Sequence, residues 1–163
     1  MNKKGFTLIE LLIVIAIIAI LAGVVFVSLN PLKRFQDARN ASRWTDTTAV
    51  LSAIKVNQVD NGGSYVPAIT TAFGATNLMI SGDATAPITN CNTNCSVATS
   101  TGACISLKEL VDKGVLGRIP VSPNGVGSWT PSLTGYYLSK NTNGSITVGA
   151  CDAEGGGTIT VNR

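Results

Sequence analysis

Histidine is absent from this chain of 163 residues, and charged side chains make up only 13% of it. Without histidine, the chain lacks the side chain that most often serves as a general base near neutral pH and as a metal ligand. The many serine and threonine hydroxyls therefore have no clear base partner, which argues against nucleophilic catalysis. We expect no enzymatic activity, no cofactor and no metal site.

Excess charge of one sign is also small. Twelve basic and nine acidic side chains give a net charge of +3, and two of the bases, Lys3 and Lys4, precede a long apolar run. Without those two lysines, the ten remaining basic side chains exceed the acids by one. So small an excess creates little electrostatic field around the protein. We therefore do not expect nucleic acid to be the main partner.

A long apolar run follows these lysines. Residues 6–29, FTLIELLIVIAIIAILAGVVFVSL, contain one charged side chain, Glu10. As a helix, the run would cover about 36 Å, enough to cross a bilayer core of about 30 Å. A cleavable secretory signal has a shorter apolar region that ends in small residues. We predict a single membrane-spanning helix whose N-terminus stays in the cytoplasm, because Lys3 and Lys4 precede it.

Helical periodicity continues past the apolar run, so we predict one helix over residues 6–58. Its first half is apolar all round and its second half is amphipathic. Gly23 and Pro31 are the expected points of bending, because glycine is a weak helix former and proline lacks a backbone N–H. The sequence DNGG at 60–63 ends the helix.

The second half of this helix has an apolar stripe with steps of three or four residues. The stripe consists of Leu32, Phe35, Ala38, Ala41, Trp44, Thr48, Leu51 and Ile54. The charged side chains are assigned to the remaining faces. Among them, Lys33 is expected to pair with Asp37, and Arg43 with Asp46.

Residues 59–163 are predicted to form a small globular head. Three runs rich in β-branched or aromatic residues predict antiparallel strands at 135–140, 145–150 and 158–162. Turn sequences at 141–144 and 152–157 join them into hairpins. We interpret Asp152 and Glu154 as part of a solvated turn. The predicted fold class is α+β, with the long helix packed on a small antiparallel sheet of about three strands.

The first part of the head has less pattern. Residues 59–104 are rich in Gly, Ser, Thr and Asn, which predicts loops with one short strand or helical turn. Residues 105–114 predict a short helix. Ser106 and Glu109 fit a capping box at its start, and Gly114 fits its C-terminal end.

The four cysteines all lie in the head, at Cys91, Cys95, Cys104 and Cys151. An even number fits two disulfides in an oxidising compartment. The rival interpretation is a zinc site, but only the first two cysteines lie close enough along the chain to resemble a ligand pair. Four cysteines allow three connectivities, and the sequence does not decide among them. The short separation favours Cys91–Cys95, which leaves Cys104–Cys151.

Glu10 needs an explanation, because a carboxylate in hydrocarbon costs several kcal/mol unless it is neutralised or paired. In a monomer, it could lie near the lipid headgroups. Alternatively, cleavage between Gly5 and Phe6 would create an α-ammonium group on Phe6, four residues from Glu10. A neighbouring copy could present the same group more closely.

The segment KKGFTLIELLIVIAIIAILA resembles the N-termini of type IV prepilins and of the related pseudopilins of type II secretion. The likeness covers about residues 3–26 and rests on a basic leader ending in Gly5, then Phe6, Thr7 and Glu10 in an apolar helix. It implies a pilin-like fold, cleavage after Gly5 by a prepilin peptidase, and N-methylation of Phe6. It also implies that Glu10 pairs with the terminal amine of a neighbouring subunit during filament assembly.

The resemblance also implies an organisation and a set of partners. Residues 1–5 would be a cleaved leader, 6–58 the transmembrane and assembly helix, and 59–163 the head. The precursor would cross the inner membrane once, and the mature subunit would join an extracellular helical filament of identical copies. An assembly platform and an ATPase would be needed. Family members often have proline at the position of Val27, whereas this chain has Pro31.

We therefore expect a structural subunit of a type IV pilus-like filament that serves adhesion, motility or DNA uptake. The main alternative is a pseudopilin of a secretion or competence machine, which would share the same N-terminus. The cysteines and the polar segment 59–104 favour an exposed filament surface. A membrane-tethered binding module that never polymerises would need neither Glu10 nor Gly5. A membrane-anchored enzyme has the least support.

Overall fold

A computed structural model describes the chain at residues 5–71, 77–82, 95, 97, 104–125 and 127–163. The chain divides into two compact units, Met1–Phe35 and Gln36–Arg163. The first is dominated by one apolar helix, and the second contains a sheet with its own hydrophobic core.

Helix α1 (Leu8–Leu29) has 22 residues and none of them is buried. It ends where Asn30 adopts a left-handed backbone conformation, with φ of 38°. Helix α2 (Pro31–Asp60) begins at the next residue. Proline suits that first position, because it has no N–H that needs an acceptor. The long predicted helix is thus present as two consecutive segments that meet at Asn30, whereas Gly23 lies inside α1 without an interruption.

The described residues contain five strands in one mixed sheet, in the order β2-β1-β3-β4-β5. The strands are β1 (Leu78–Ser81), β2 (Cys104–Ser106), β3 (Tyr136–Lys140), β4 (Ile146–Ala150) and β5 (Thr160–Asn162). Strands β1 and β2 are parallel, and the other pairs are antiparallel. The three predicted strands correspond to β3, β4 and β5. The expected count of about three was too low, because β1 and β2 are short and lie in or beside the loop-rich segment.

The short helices are α3 (Pro67–Thr70) and α4 (Lys108–Asp112), and a 3-10 turn spans Glu154–Gly156. The predicted capping box of α4 is wrong, since Leu107 is the N-cap residue and makes no side-chain cap bond. The predicted C-terminal end of α4 at Gly114 is confirmed. Gly114 follows the last turn with φ of 71°, a conformation that glycine adopts without strain.

The α+β fold class is confirmed, because the second half of α2 shares one core with the sheet. Val50 and Ile54 of α2 belong to the same buried cluster as Leu138 of β3 and Val148 of β4. A second cluster includes Met79, Trp129 and Tyr137. Because side chains alternate along a strand, neighbouring Tyr137 and Leu138 serve opposite faces of the sheet.

The predicted apolar stripe of α2 is only partly right. Leu51 and Ile54 are buried, but Trp44 remains 44% exposed and Thr48 is exposed as well. The buried face of α2 consists of Arg43, Thr47, Val50, Leu51, Ala53, Ile54 and Asn57. Arg43 was assigned to a polar face from the sequence, so it is the main departure from the predicted stripe. Its hydrogen-bond partners explain why it is buried.

Candidate functional site

The start of α1 forms a closed hydrogen-bonded cap around the one acid of that helix. The Thr7 backbone N–H and hydroxyl both donate to Glu10 Oε2, each at 2.8 Å. In return, the Thr7 hydroxyl accepts from the Glu10 backbone N–H at 3.3 Å. This is a capping box, in which the first turn of a helix satisfies its own unpaired donors. Within the described residues, Glu10 Oε1 has no hydrogen-bond partner.

Gly5 and Phe6 precede this cap, and the fold places few constraints on either residue. Phe6 is 87% exposed. A Cβ added to Gly5 would meet nothing within 4 Å, so the fold does not require glycine there. A requirement for glycine would therefore come from outside the chain. Gly5, Phe6 and Glu10, which the sequence singled out, lie together at the start of α1.

The surface of α1 is apolar and uncovered. Its 22 residues would span about 33 Å at about 1.5 Å per residue, and it belongs to a helical stretch long and apolar enough to cross a membrane. Glu10 is its only charged residue. Exposed apolar surface of this extent is unfavourable in water and needs lipid or protein to cover it.

A buried ion cluster joins the third and fourth turns of α2 to the 3-10 turn near the C-terminus. Arg39 and Arg43 both form ion pairs with Glu154, whose side chain is 3% exposed. Arg39 Nε donates to Glu154 Oε1 at 2.6 Å, and its second terminal nitrogen donates to Oε2. Arg43 Nη1 donates to Oε1 at 3.1 Å. The interpretation of Glu154 as part of a solvated turn is therefore wrong.

Arg43 is fully buried, and its other nitrogen atoms also make hydrogen bonds. Its Nε donates to Ser122 Oγ at 3.0 Å, and Nη2 donates to the Pro123 carbonyl at 2.9 Å. The predicted pairing of Arg43 with Asp46 is wrong, because Asp46 instead accepts from the Tyr136 hydroxyl at 2.6 Å. Burial and this hydrogen bond raise the pKa of Tyr136. The predicted Lys33–Asp37 pair is not among the ion pairs of the described residues.

Backbone contacts fix the same turn. Asn40 Nδ2 donates to the Glu154 carbonyl at 2.9 Å, and the Glu154 N–H donates to Asn40 Oδ1 at 3.1 Å. Gly125 packs directly over the Glu154 carboxylate, where a side chain would collide with it and with Arg39.

The arginine hydrogen bonds, led by those from Arg39, lower the pKa of Glu154. Burial raises the pKa of Asp152, two residues earlier.

A disulfide between Cys95 and Cys151 ties the residue after β4 to the loop-rich segment. The two Cα atoms are 5.0 Å apart. Cys104 is also disulfide-bonded, while Cys91 lies outside the described residues. The expected connectivity, Cys91–Cys95 with Cys104–Cys151, is therefore wrong. Proximity along the chain was a poor guide, because the fold brings Cys95 to a cysteine 56 residues away.

Sequence reasoning missed the importance of Arg43 and Glu154, although one pattern could have indicated Arg43. It precedes Thr47, Val50 and Ile54 at steps of four and three residues, so it continues their buried stripe. For Glu154 the sequence offers no comparable pattern, because its partners lie 111 to 115 residues away. Within the described residues, no group of three potential metal ligands converges.

Comparison with known proteins connects these features to a family. Residues 1–26 match the family described as "Prokaryotic N-terminal methylation motif". The chain is also 38% identical over 120 residues to the "Type IV wide pilus major component PilA4" of Thermus thermophilus, covering 70% of this chain and 86% of that protein. The chain belongs to the type IV pilin family. No solved structure gives a significant match.

The matched length places both parts of this pilin within the family likeness. The motif covers residues 1–26 and therefore most of α1, and an alignment of 120 residues must extend well into the second compact unit. This pilin is therefore a pilus subunit with the N-terminal apolar helix typical of its family. Its relative is a structural component, in keeping with the expectation that the chain is not an enzyme.

Proposed function

We propose that this pilin is a structural subunit that polymerises through α1 into a surface filament of identical copies. The observation that carries the proposal is a 22-residue apolar helix with no buried residue and a single acid near its start. In the precursor, lipid would cover this helix as it crosses the inner membrane once. In the filament, the same helices of neighbouring copies would cover it. The hydrophobic effect favours covering the apolar surface of α1 in both states.

The proposed maturation removes residues 1–5 by cleavage after Gly5 and methylates the new amine of Phe6. The exposure of Phe6 and the open space around Gly5 support access by a prepilin peptidase. Cleavage there would leave the capping box intact, because its donors and acceptors belong to Thr7 and Glu10. The helix would therefore keep its first turn when it loses the leader.

In this proposal Glu10 acts in assembly. Oε2 is occupied by Thr7, whereas Oε1 has no partner within the described part of the chain. An α-ammonium group on Phe6 of a neighbouring copy would supply both a donor and a positive charge to that oxygen. A charge-assisted hydrogen bond of this kind is stronger than a neutral one. It would give the apolar interface between helices a specific register.

The remaining parts follow the division expected from the sequence. Residues 6–58 form the assembly helix and 59–163 the head that faces the exterior, after export by an assembly platform with its ATPase. The relative is named as a pilus component, which supports a pilus in preference to a secretion pseudopilus. Disulfide bonding of Cys95 and Cys151 suits an oxidising compartment outside the cytoplasm.

The test is the identity of the N-terminus in assembled fibres. Fibres sheared from cells should contain a subunit that begins at Phe6 and carries a methyl group on its amine, as determined by mass spectrometry of the intact protein. Gly5→Leu is the matched variant, because the fold itself leaves space for a side chain at that position. It should accumulate as uncleaved precursor in the membrane fraction. Fibres built from a chain that still begins at Met1 would contradict the proposal.

A further inference from the structure

Two lysines from different parts of the head converge on one tyrosine ring. Lys55 Nζ of α2 lies 5.3 Å from the centroid of the Tyr65 ring, and Lys140 Nζ of β3 lies 5.9 Å from it. All three residues are half-buried. The Tyr65 hydroxyl holds Lys55 Nζ at the edge of the ring, and the ring attracts the Lys140 ammonium group by cation–π interaction. The fold therefore gathers two like charges at one place, although like charges repel each other.

No acid of the described residues forms an ion pair with this cluster. The ion pairs there engage Arg39, Arg43, Lys108 and Lys113, and none involves Lys55 or Lys140. Lys108 and Lys113 illustrate the contrast, since each is paired with a carboxylate four residues away on the same short segment. The Lys55–Tyr65–Lys140 cluster has no such ion pair within the described residues.

The hydrogen bonds around the ring leave donors unused. The Tyr65 hydroxyl donates to the Gly144 carbonyl at 3.0 Å and accepts from Lys55 Nζ at 3.0 Å. Lys55 Nζ also donates to Gln58 Oε1 at 3.2 Å. An ammonium group has three N–H donors. Lys55 therefore retains one donor, and Lys140 retains all three as far as the described residues are concerned.

We propose that Lys55, Tyr65 and Lys140 form a binding site for an oxyanion of the phosphate class. The fixed phenol holds the Lys55 stem in place, and the flexible four-carbon stem of Lys140 lets its ammonium group meet the same anion. The two nitrogens lie at most about 11 Å apart, the sum of their distances to one centroid, before either stem adjusts. The anion would be a free phosphate or a phosphate group carried by a polymer.

The experiment uses the full-length pilin in a non-ionic maltoside detergent and measures thermal unfolding by near-UV circular dichroism. Sodium phosphate and sodium chloride are compared at equal ionic strength and pH. At a phosphate concentration ten times the dissociation constant, the midpoint should rise by about 3–6 °C. Lys55→Gln and Lys140→Gln should each lose most of this rise. Lys108→Gln, which removes a lysine already paired with Asp112, should retain it.

A second arm replaces phosphate with inorganic polyphosphate, titrated over a range of total phosphate concentrations. A rise at much lower polyphosphate concentration would assign the group to a polymer, and an equal rise per phosphate would assign it to the free anion. Either result supports the site if both lysine variants lose the rise. Equal rises in the wild type, Lys55→Gln and Lys140→Gln, with either probe, would overturn the proposal, as would the absence of any rise in the wild type.

Discussion

Glu10 and Glu154 are two carboxylates in surroundings that disfavour an isolated charge, and this pilin satisfies them differently. Glu154 lies inside the head and receives hydrogen bonds from Arg39 and Arg43, which belong to the same chain. Glu10 lies on an uncovered apolar helix, and within the described residues only Thr7 contacts its carboxylate by hydrogen bonds. The carboxylate of Glu154 is satisfied within one subunit. Glu10 Oε1, in contrast, has no hydrogen-bond partner within the described residues.

The difference separates folding from assembly. Removing the Glu154 charge should destabilise the folded head, because a buried guanidinium then loses its counter-charge. Removing the Glu10 charge should leave the head as it is, because Glu10 lies in the other compact unit. Variants at the two positions should therefore fail in different assays, one in unfolding experiments and the other in fibre formation.

The largest effect on stability is expected for Glu154→Gln. Arg43 has a fully buried side chain, so the loss of its ion pair should cost about 3–5 kcal/mol of unfolding free energy. Denaturant unfolding of the detergent-solubilised pilin, followed by tryptophan fluorescence, measures this loss. Glu109→Gln is the control, since it breaks an exposed pair with Lys113 and should cost less than about 1 kcal/mol. Equal losses in the two variants would contradict the buried role of Glu154.

A somewhat smaller loss is expected when the described disulfide is removed. The double change Cys95→Ser and Cys151→Ser should lower the unfolding free energy by about 2–4 kcal/mol, since the bridge closes a loop between residues 56 positions apart. Non-reducing peptide mapping of the wild type should recover a peptide that joins the two cysteines. Recovery of a Cys91–Cys95 peptide in its place would show the connectivity described here to be wrong.

Acid should weaken the head through Glu154. Its pKa is lowered in the folded state, so its stabilising contribution is complete above the unfolded pKa of about 4.3 and is lost as pH falls through the lower folded value. The wild type should therefore lose unfolding free energy below about pH 4.3. Glu154→Gln should lose less over the same interval, although it starts lower. Parallel pH profiles for the two proteins would exclude Glu154 as the group responsible.

The smallest effect, and one of opposite sign, is expected at Asp152. Burial raises the pKa of its carboxyl group, so the charged form is disfavoured in the folded state at neutral pH. Asp152→Asn should stabilise the head at pH 7 by less than about 1 kcal/mol. The difference should shrink as pH falls through the raised pKa and vanish below the ordinary aspartate pKa of about 3.9. A destabilised Asp152→Asn variant at pH 7 would indicate that the carboxylate is needed as an acceptor.

Features set by neighbouring residues could be predicted from the sequence. The apolar run predicts α1, because a segment of this length and apolar composition favours a membrane-spanning helix. The turn at 141–144 predicts the β3–β4 hairpin because the turn lies between two strand-forming segments. The start of α1 was found by its motif, which is also local. In each case, the residues that determine the structure are adjacent along the chain.

Features set by distant residues could not be predicted. Arg43 was placed on the polar side of α2 by its charge, since its acid partner lies 111 residues away. Strand β1 has four residues and pairs with segments far along the chain, so it carries little pattern of its own. The pairing of Cys95 with Cys151 follows from the fold as a whole. A buried charge and a disulfide both depend on contacts that only the folded chain supplies.

The most direct test of the central claim is fibre yield from Glu10→Gln. This variant keeps the side-chain length and a carbonyl oxygen that can accept from Thr7, but it removes the charge that would attract the Phe6 amine of another copy. Cleaved subunit in the membrane fraction and sheared fibres are quantified in the same cells, with head stability as a control. We expect normal membrane levels and unchanged head stability. The fibre yield should fall at least tenfold, a factor that corresponds to about 1.4 kcal/mol in the free energy of assembly. A normal fibre yield would contradict the assignment of Glu10 to assembly.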